Sequence, residues 1–141
     1  MKVHRLDVTV YDERGWRWRT ETSLDPLWAD IEAAIRRLDR FRYPFIWLFR
    51  NAEVELYTPP EFNVVGGDGE FAMDSTADGA YQRYYDESRG NEEIAIWRSD
   101  QGATFEAKYC CSSLDTVLRA THYFCDHGAL DPGVVWQSQP W

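Results

Sequence analysis

Ile94-Ala95-Ile96-Trp97, Arg98-Ser99-Asp100-Gln101-Gly102, Ala103-Thr104-Phe105-Glu106-Ala107-Lys108-Tyr109-Cys110-Cys111, then Ser112-Ser113-Leu114-Asp115-Thr116-Val117-Leu118-Arg119-Ala120-Thr121-His122-Tyr123-Phe124-Cys125, and after it Gly128, Leu130-Asp131-Pro132 and Trp136 form the most informative part of the chain. Two apolar-rich strands flank a polar, glycine-containing turn. A helix follows, and an aromatic strand closes the unit. Ser112 is a good N-cap residue, and Asp115 three positions on makes a capping-box-like pair. Leu114, Val117, Leu118, Thr121, Phe124 and Cys125 recur at helical spacing. Gly128 can adopt the left-handed conformation that ends a helix, and Pro132 prevents an immediate restart. The apolar face must be buried, and the preceding strands are its expected partner in a two-layer arrangement.

Upstream, residues 2–11 alternate imperfectly, with Val3, Leu6, Val8 and Val10 apolar, as expected of a strand with one solvated face. Asp12-Glu13-Arg14-Gly15 reads as a turn and Trp16-Arg17-Trp18-Arg19-Thr20-Glu21 as the returning strand. The Trp/Arg interleaving there also fits a base-stacking platform, but a half-buried strand needs nothing more than this alternation. Asp25-Pro26 is expected to open a helix with Asp25 as N-cap, and Trp28, Ile31, Ile35 and Leu38 supply its apolar stripe. Phe45 to Phe49 is continuously apolar and reads as a central strand covered on both faces. Glu53 to Tyr57 reads as a short strand ended by Pro59-Pro60. Phe62-Asn63-Val64-Val65 and Glu70-Phe71-Ala72-Met73-Asp74 flank Gly66-Gly67-Asp68-Gly69, a hairpin signature. That glycine cluster lacks the Lys-Ser/Thr and the following helix of a phosphate cradle. Tyr81 to Asp86 is read as a further strand, with Tyr84 and Tyr85 on opposite faces. The expected order is β-β-α-β-β-β-β-β-β-β-α-β. The expected fold is α+β, one antiparallel-rich sheet carrying the helices 25–40 and 113–127, in a single domain 1–141 with Trp28, Ile31, Ile35, Leu118 and Phe124 buried.

Seven tryptophans in 141 residues supply the burial that a disordered chain lacks. The longest apolar run, Pro44 to Phe49, is far too short for a membrane helix. The N-terminus has no apolar core or small-residue cleavage site, and the expected location is the cytoplasm. The net charge of −9 opposes direct binding of nucleic acid. Residues 51–100 hold twelve acids and three bases, a balance of −9, so the flanks cancel and this segment carries the whole imbalance. Such a segment serves either as a solubilising face or as a docking surface for a basic partner.

Cys110, Cys111, His122, Cys125 and His127 are the best candidates for a zinc site, because His122 and Cys125 share a helix side near the strand end carrying the cysteine pair. Against this, adjacent strand residues point to opposite faces, and Cys125 lies on the apolar stripe as a small hydrophobe. A cysteine nucleophile with His122 as base lacks an orienting third group. Glu92-Glu93 and Asp86-Glu87 lie in turns, where nothing splits their pKa values for acid–base work. No hydrolase elbow, dinucleotide fingerprint or Walker loop is present. The residues therefore give no positive reason to expect an enzyme, and no cofactor or metal is expected; the alternative is a small Cys/His metalloprotein or enzyme using Cys110, His122 and Cys125.

Trp97 to Gly102, Phe105, the helix Leu114-Asp115-Thr116-Val117-Leu118-Arg119-Ala120 with Tyr123-Phe124, and Gly128-Ala129-Leu130-Asp131-Pro132 to Trp136 carry a family resemblance. The chain resembles the first-numbered family of immunity proteins from bacterial polymorphic toxin systems, many of them encoded beside deaminase-type toxins. The resemblance implies a small α+β protein that binds a cognate toxin domain and occludes its active site. It also implies a target acting on nucleic acid or nucleotides, a deaminase or nuclease with a basic cleft. Under that reading the expected docking residues are Asp68, Asp74, Asp78, Asp86, Glu87, Glu92 and Glu93, with Tyr84 or Tyr85 as aromatic anchor.

Overall fold

The computed structural model describes residues 1–139. Nine strands and two helices follow one another: β1 Arg5–Tyr11, β2 Trp18–Leu24, α1 Trp28–Arg36, β3 Phe45–Phe49, β4 Phe62–Gly67, β5 Glu70–Ser75, β6 Tyr81–Tyr84, β7 Glu93–Trp97, β8 Ala103–Glu106, α2 Leu114–His127 and β9 Trp136–Gln139. Seven strands form one antiparallel sheet in the order β2-β1-β3-β4-β5-β6-β9, and β7 pairs only with β8 in a separate two-stranded sheet. The α+β expectation holds, with the second sheet as an addition to it.

Period-two alternation divides the large sheet into two faces. Leu6, Val8, Val10, Ile46, Leu48, Phe62, Val64, Phe71 and Met73 point to one side and are buried there with Ile31, Ile35, Val117, Phe124 and Cys125 of the helices. Phe62 and Phe124 stack with ring centroids 4.9 Å apart at its centre. Trp28 and Leu118 are half-buried at the border of this core rather than within it. Trp28 joins the helices by stacking on His122, centroids 4.2 Å apart.

The hairpin β7–β8 is not where the order of the chain places it. Rather than continuing the sheet under α2, it crosses the opposite face, where Ile96 packs with Val65, Ala72 and Cys110. Helix α2 rests instead on the central strands through Phe124. On that face the small side chains of Val65 and Ala72 leave room for Ile96, while the helix-side face is already occupied by α1 and α2.

Three further expectations need correction. Glu53–Tyr57 is irregular, not a strand; Leu56 and Tyr57 are 82% and 92% exposed. Asp25 does not cap α1, because its backbone N–H is bonded to the His4 carbonyl and its φ is +49°. The N-cap is Leu27, whose N–H is accepted by the Asp30 carboxylate at 2.9 Å. The cap of α2 is Ser113, one residue after Ser112, and Gly128 ends that helix at φ +65° as expected. At the β4–β5 hairpin the turn itself is Asp68-Gly69, both at positive φ, the two-residue geometry that matches strand twist.

Candidate functional site

The face of the large sheet turned away from the helices is only partly covered. β3 contributes Phe45 and Trp47, and the overlying hairpin contributes Trp97, Ala103 and Phe105. With Asn63, Val65, Asp74 and Tyr81 of the neighbouring strands, and Pro59, Pro60 and Thr76 of the loops, they surround a cavity of about 590 Å³. This lies within the range of about 300–1,000 Å³ typical of ligand sites. A second cavity of about 320 Å³ shares Phe45, Trp47 and Trp97 and is completed by Asp7, Thr9, Tyr11, Trp18, Thr20 and Asp100. The aromatic ridge between them is internally packed: Phe45 meets Trp47 at 5.7 Å and Trp97 edge-on at 5.2 Å. Trp18, on the edge strand β2, is 61% exposed beside it.

Both cavities contain carboxylates. In the smaller one Asp7 is already engaged by Arg5 at 3.0 Å and Thr22 at 2.9 Å, and Asp100 accepts from the Tyr11 hydroxyl at 3.2 Å. Burial, reinforced by Asp100, pushes the Tyr11 hydroxyl up to about 12. In the larger cavity the Asn63 amide donates from Nδ2 to Asp74 Oδ2 at 3.0 Å. The Asn63 carbonyl, Oδ1, is sealed from solvent and has no partner among the described residues. Burial raises the Asp74 carboxyl to about 6, against the lowering influence of the Asn63 bond, the Arg83 charge and the Tyr81 hydroxyl. Arg83 does not pair directly with Asp74; its guanidinium lies over the rings of Tyr109 at 3.8 Å and Phe105 at 4.8 Å. The Thr76 hydroxyl is occupied by the Pro60 carbonyl. The cavity therefore has aromatic walls and, between them, a half-buried carboxylate beside an unpartnered amide oxygen.

The acidic residues expected to dock a partner do not form one patch. Asp74 lies in the larger cavity. Tyr84, Tyr85, Asp86 and Glu87 line a third recess against Thr116 and Arg119 of α2. Tyr84 turns inward toward the helix-side core, and Tyr85 packs on Tyr109 at 5.7 Å, so the two do lie on opposite sides. Asp86 is tied into its own turn by the Ser88 N–H and hydroxyl, which lower its carboxyl. Glu92 and Glu93 stand at the root of the β7–β8 hairpin, with Glu93 opposite Glu106. Asp68 and Asp78 flank β5 at its two ends, about 20 Å apart along a six-residue strand. Sequence reading passed over Trp47, Trp97, Phe105 and Asn63; the polar Asn63 and Asp74 in otherwise apolar strands were the available signal.

The Cys/His set is dispersed. Cys110 is packed in the cluster under the hairpin and Cys111 in the helix-side core, on opposite faces as adjacent residues should be. Cys125 is fully buried, whereas His122 stands outside on Trp28. Among the described residues no group of three or more metal-ligating side chains comes together.

These features define the class: an α+β protein whose large sheet carries helices on one face and an aromatic, carboxylate-bearing surface with two cavities on the other. No family model, curated protein or solved structure matches the chain. Among the described residues no helix is long and apolar enough to cross a membrane.

Proposed function

We propose that this protein is a cytoplasmic, non-catalytic immunity protein, which binds a bacterial toxin domain and neutralises it by covering its active site. The observation that carries this reading is the partly covered sheet face with its two aromatic-lined cavities, one bearing Asp74 and the other Asp7 and Asp100. Aromatic side chains beside desolvated charges are the usual anchors of protein interfaces. The family resemblance of the last third of the chain adds the toxin class, one acting on nucleic acid or nucleotides. The acidic surplus of residues 51–100 fits a partner with a basic cleft.

The two features have separable roles. Exposed acids such as Glu87, Glu92 and Glu93 steer encounter and act on the association rate. The aromatic cavity holds the bound partner and acts on dissociation.

The test is co-expression with the product of the neighbouring gene, followed by co-purification and a growth-protection assay. A stoichiometric complex with protection is expected. Reversal of Asp86, Glu87, Glu92 and Glu93 to Lys, with folding verified by circular dichroism, is expected to slow association and flatten its salt dependence. A toxin that neither co-purifies nor is neutralised would overturn the reading.

A further inference from the structure

The larger cavity specifies its occupant more closely than its size does. Its floor holds two acceptors with capacity for a further donor: the Asp74 carboxylate, which already accepts from Asn63 Nδ2 and the Tyr81 hydroxyl, and beside it the sealed Asn63 amide carbonyl, which has no partner among the described residues. The amide turns as a unit, so bringing this oxygen to an incoming group gives up the Nδ2 bond to Asp74, which the incoming donor must replace. An unpaired buried acceptor carries a desolvation cost, which a ligand donor recovers. Burial already disfavours the charged carboxylate, so an incoming cation gains more here than at a solvated acid. The walls are the faces and edges of Trp47, Trp97 and Phe105. A group that is all donor, positively charged and flat enough to lie on aromatic rings is a guanidinium. The site's own guanidinium, Arg83, stands opposite Asp74 in the β5–β6 register, and it lies over the rings of Tyr109 and Phe105.

From this juxtaposition we infer that the cavity receives an arginine side chain of a partner protein, which donates to Asp74 and Asn63 and lies against the aromatic wall. This rests on the binding-protein reading above and names what the surface grips. The partner is a protein rather than a free guanidinium compound because of the cavity's border. The loop that supplies Pro59 and Pro60 also displays Leu56 and Tyr57, 82% and 92% exposed. An apolar–aromatic pair at the border of a pocket is surface for a polypeptide to cover. The adjoining cavity, sharing Phe45, Trp47 and Trp97, extends the same face beyond the reach of one small molecule. Arginine is also enriched at interface hot spots.

The experiment uses the isolated full chain, so its outcome does not depend on whether any toxin has been found. N-acetyl-arginine-methylamide is titrated in, followed by tryptophan fluorescence and amide chemical shifts. The citrulline analogue, equal in shape but uncharged, is run beside it. Saturable binding of the arginine probe is expected, with shifts centred on Asn63, Asp74 and Tyr81. The citrulline probe and the Asp74→Asn variant are each expected to bind at least about tenfold more weakly. Circular dichroism checks that the variant folds, and the shift map on the unaltered protein tests the site without it. Equal binding of the two probes, shifts centred elsewhere, or no saturable response to the arginine probe would each overturn the inference. Failure of toxin neutralisation with intact arginine binding would overturn the immunity reading and leave this one standing.

Discussion

Arg40 is bound to Gly67: the buried guanidinium donates from Nε to the Gly67 carbonyl at 2.7 Å. Its other nitrogens reach the Asp68 carbonyl at 3.1 Å and the Ala95 carbonyl at 3.4 Å, while the Arg40 carbonyl accepts from the Arg98 N–H at 2.7 Å. One residue thus clamps the end of the β4–β5 hairpin to the overlying β7. The approach needs a glycine, since a Cβ on Gly67 would stand 2.4 Å from the Leu38 carbonyl oxygen, at φ +134°.

Replacing Arg40 with Met keeps the length of the side chain and removes the three donations. A loss of about 2–4 kcal/mol is expected, because bonds from a charged donor contribute about 1.5–3 kcal/mol each and the stranded carbonyls carry a cost of their own. The hairpin should loosen with it. Denaturant unfolding gives the first effect and a red shift of tryptophan emission the second. A variant as stable as the parent would show that the clamp is redundant.

Phe124 is fully buried and stacked on Phe62. Phe124→Ala should cost about 3–5 kcal/mol by opening a cavity where the helix layer meets the sheet. Urea melts measure it. A cost below about 1 kcal/mol would refute this helix–sheet contact as the centre of the core.

Asp74 makes stability depend on pH in a direction unusual for a carboxylate. Its folded pKa of about 6 lies above the ordinary 3.8, so the folded state holds its proton where the unfolded chain has lost it. Its contribution is therefore full below about pH 4, falls as pH rises toward 6, and is gone above that. Asn63, Tyr81 and Arg83 face the group and limit the shift. Asp74→Asn removes the ionisation and should raise stability at pH 7 by at most about 3 kcal/mol, at about 1.4 kcal/mol per unit. Melting temperatures of both proteins from pH 4 to 8 should converge at the acid end. Parallel curves would remove Asp74 as the cause.

The three cysteines are free and buried, and burial pushes the Cys110 and Cys125 thiols up to about 11 and about 12. They should be inert to a thiol reagent in the folded protein and react fully once it is denatured. Cys125→Ser should lower stability by about 1–3 kcal/mol, through a buried hydroxyl, while leaving partner binding intact. Elemental analysis is expected to find no stoichiometric zinc; one zinc per chain, lost in this variant, would revive the Cys/His alternative.

Local order was legible in the residues themselves. The alternation of β1, β4 and β5 assigns each side chain to a face, and the Asp68-Gly69 turn sets their register, because these signals need only adjacent residues. Gly128 and the stripe from Val117 to Cys125 do the same for α2. The residues place Asp74 in a strand and, under the family resemblance, among the docking acids; the register sets it on a sheet face beside Asn63. Three things depended on contacts distant in sequence. The N-cap of α1 moved to Leu27 because Asp25 is held by His4, 21 residues away. The hairpin β7–β8 carries strand periodicity that suits either sheet. Its position is decided by the small Val65 and Ala72 that admit Ile96, and by Arg40, 55 residues before the Ala95 it grips. The cavity exists only because that hairpin brings Trp97 and Phe105 over Trp47, Asn63 and Asp74. Periodicity tells a strand which way its side chains point; which layer covers them is settled by volume and hydrogen bonding across the whole chain.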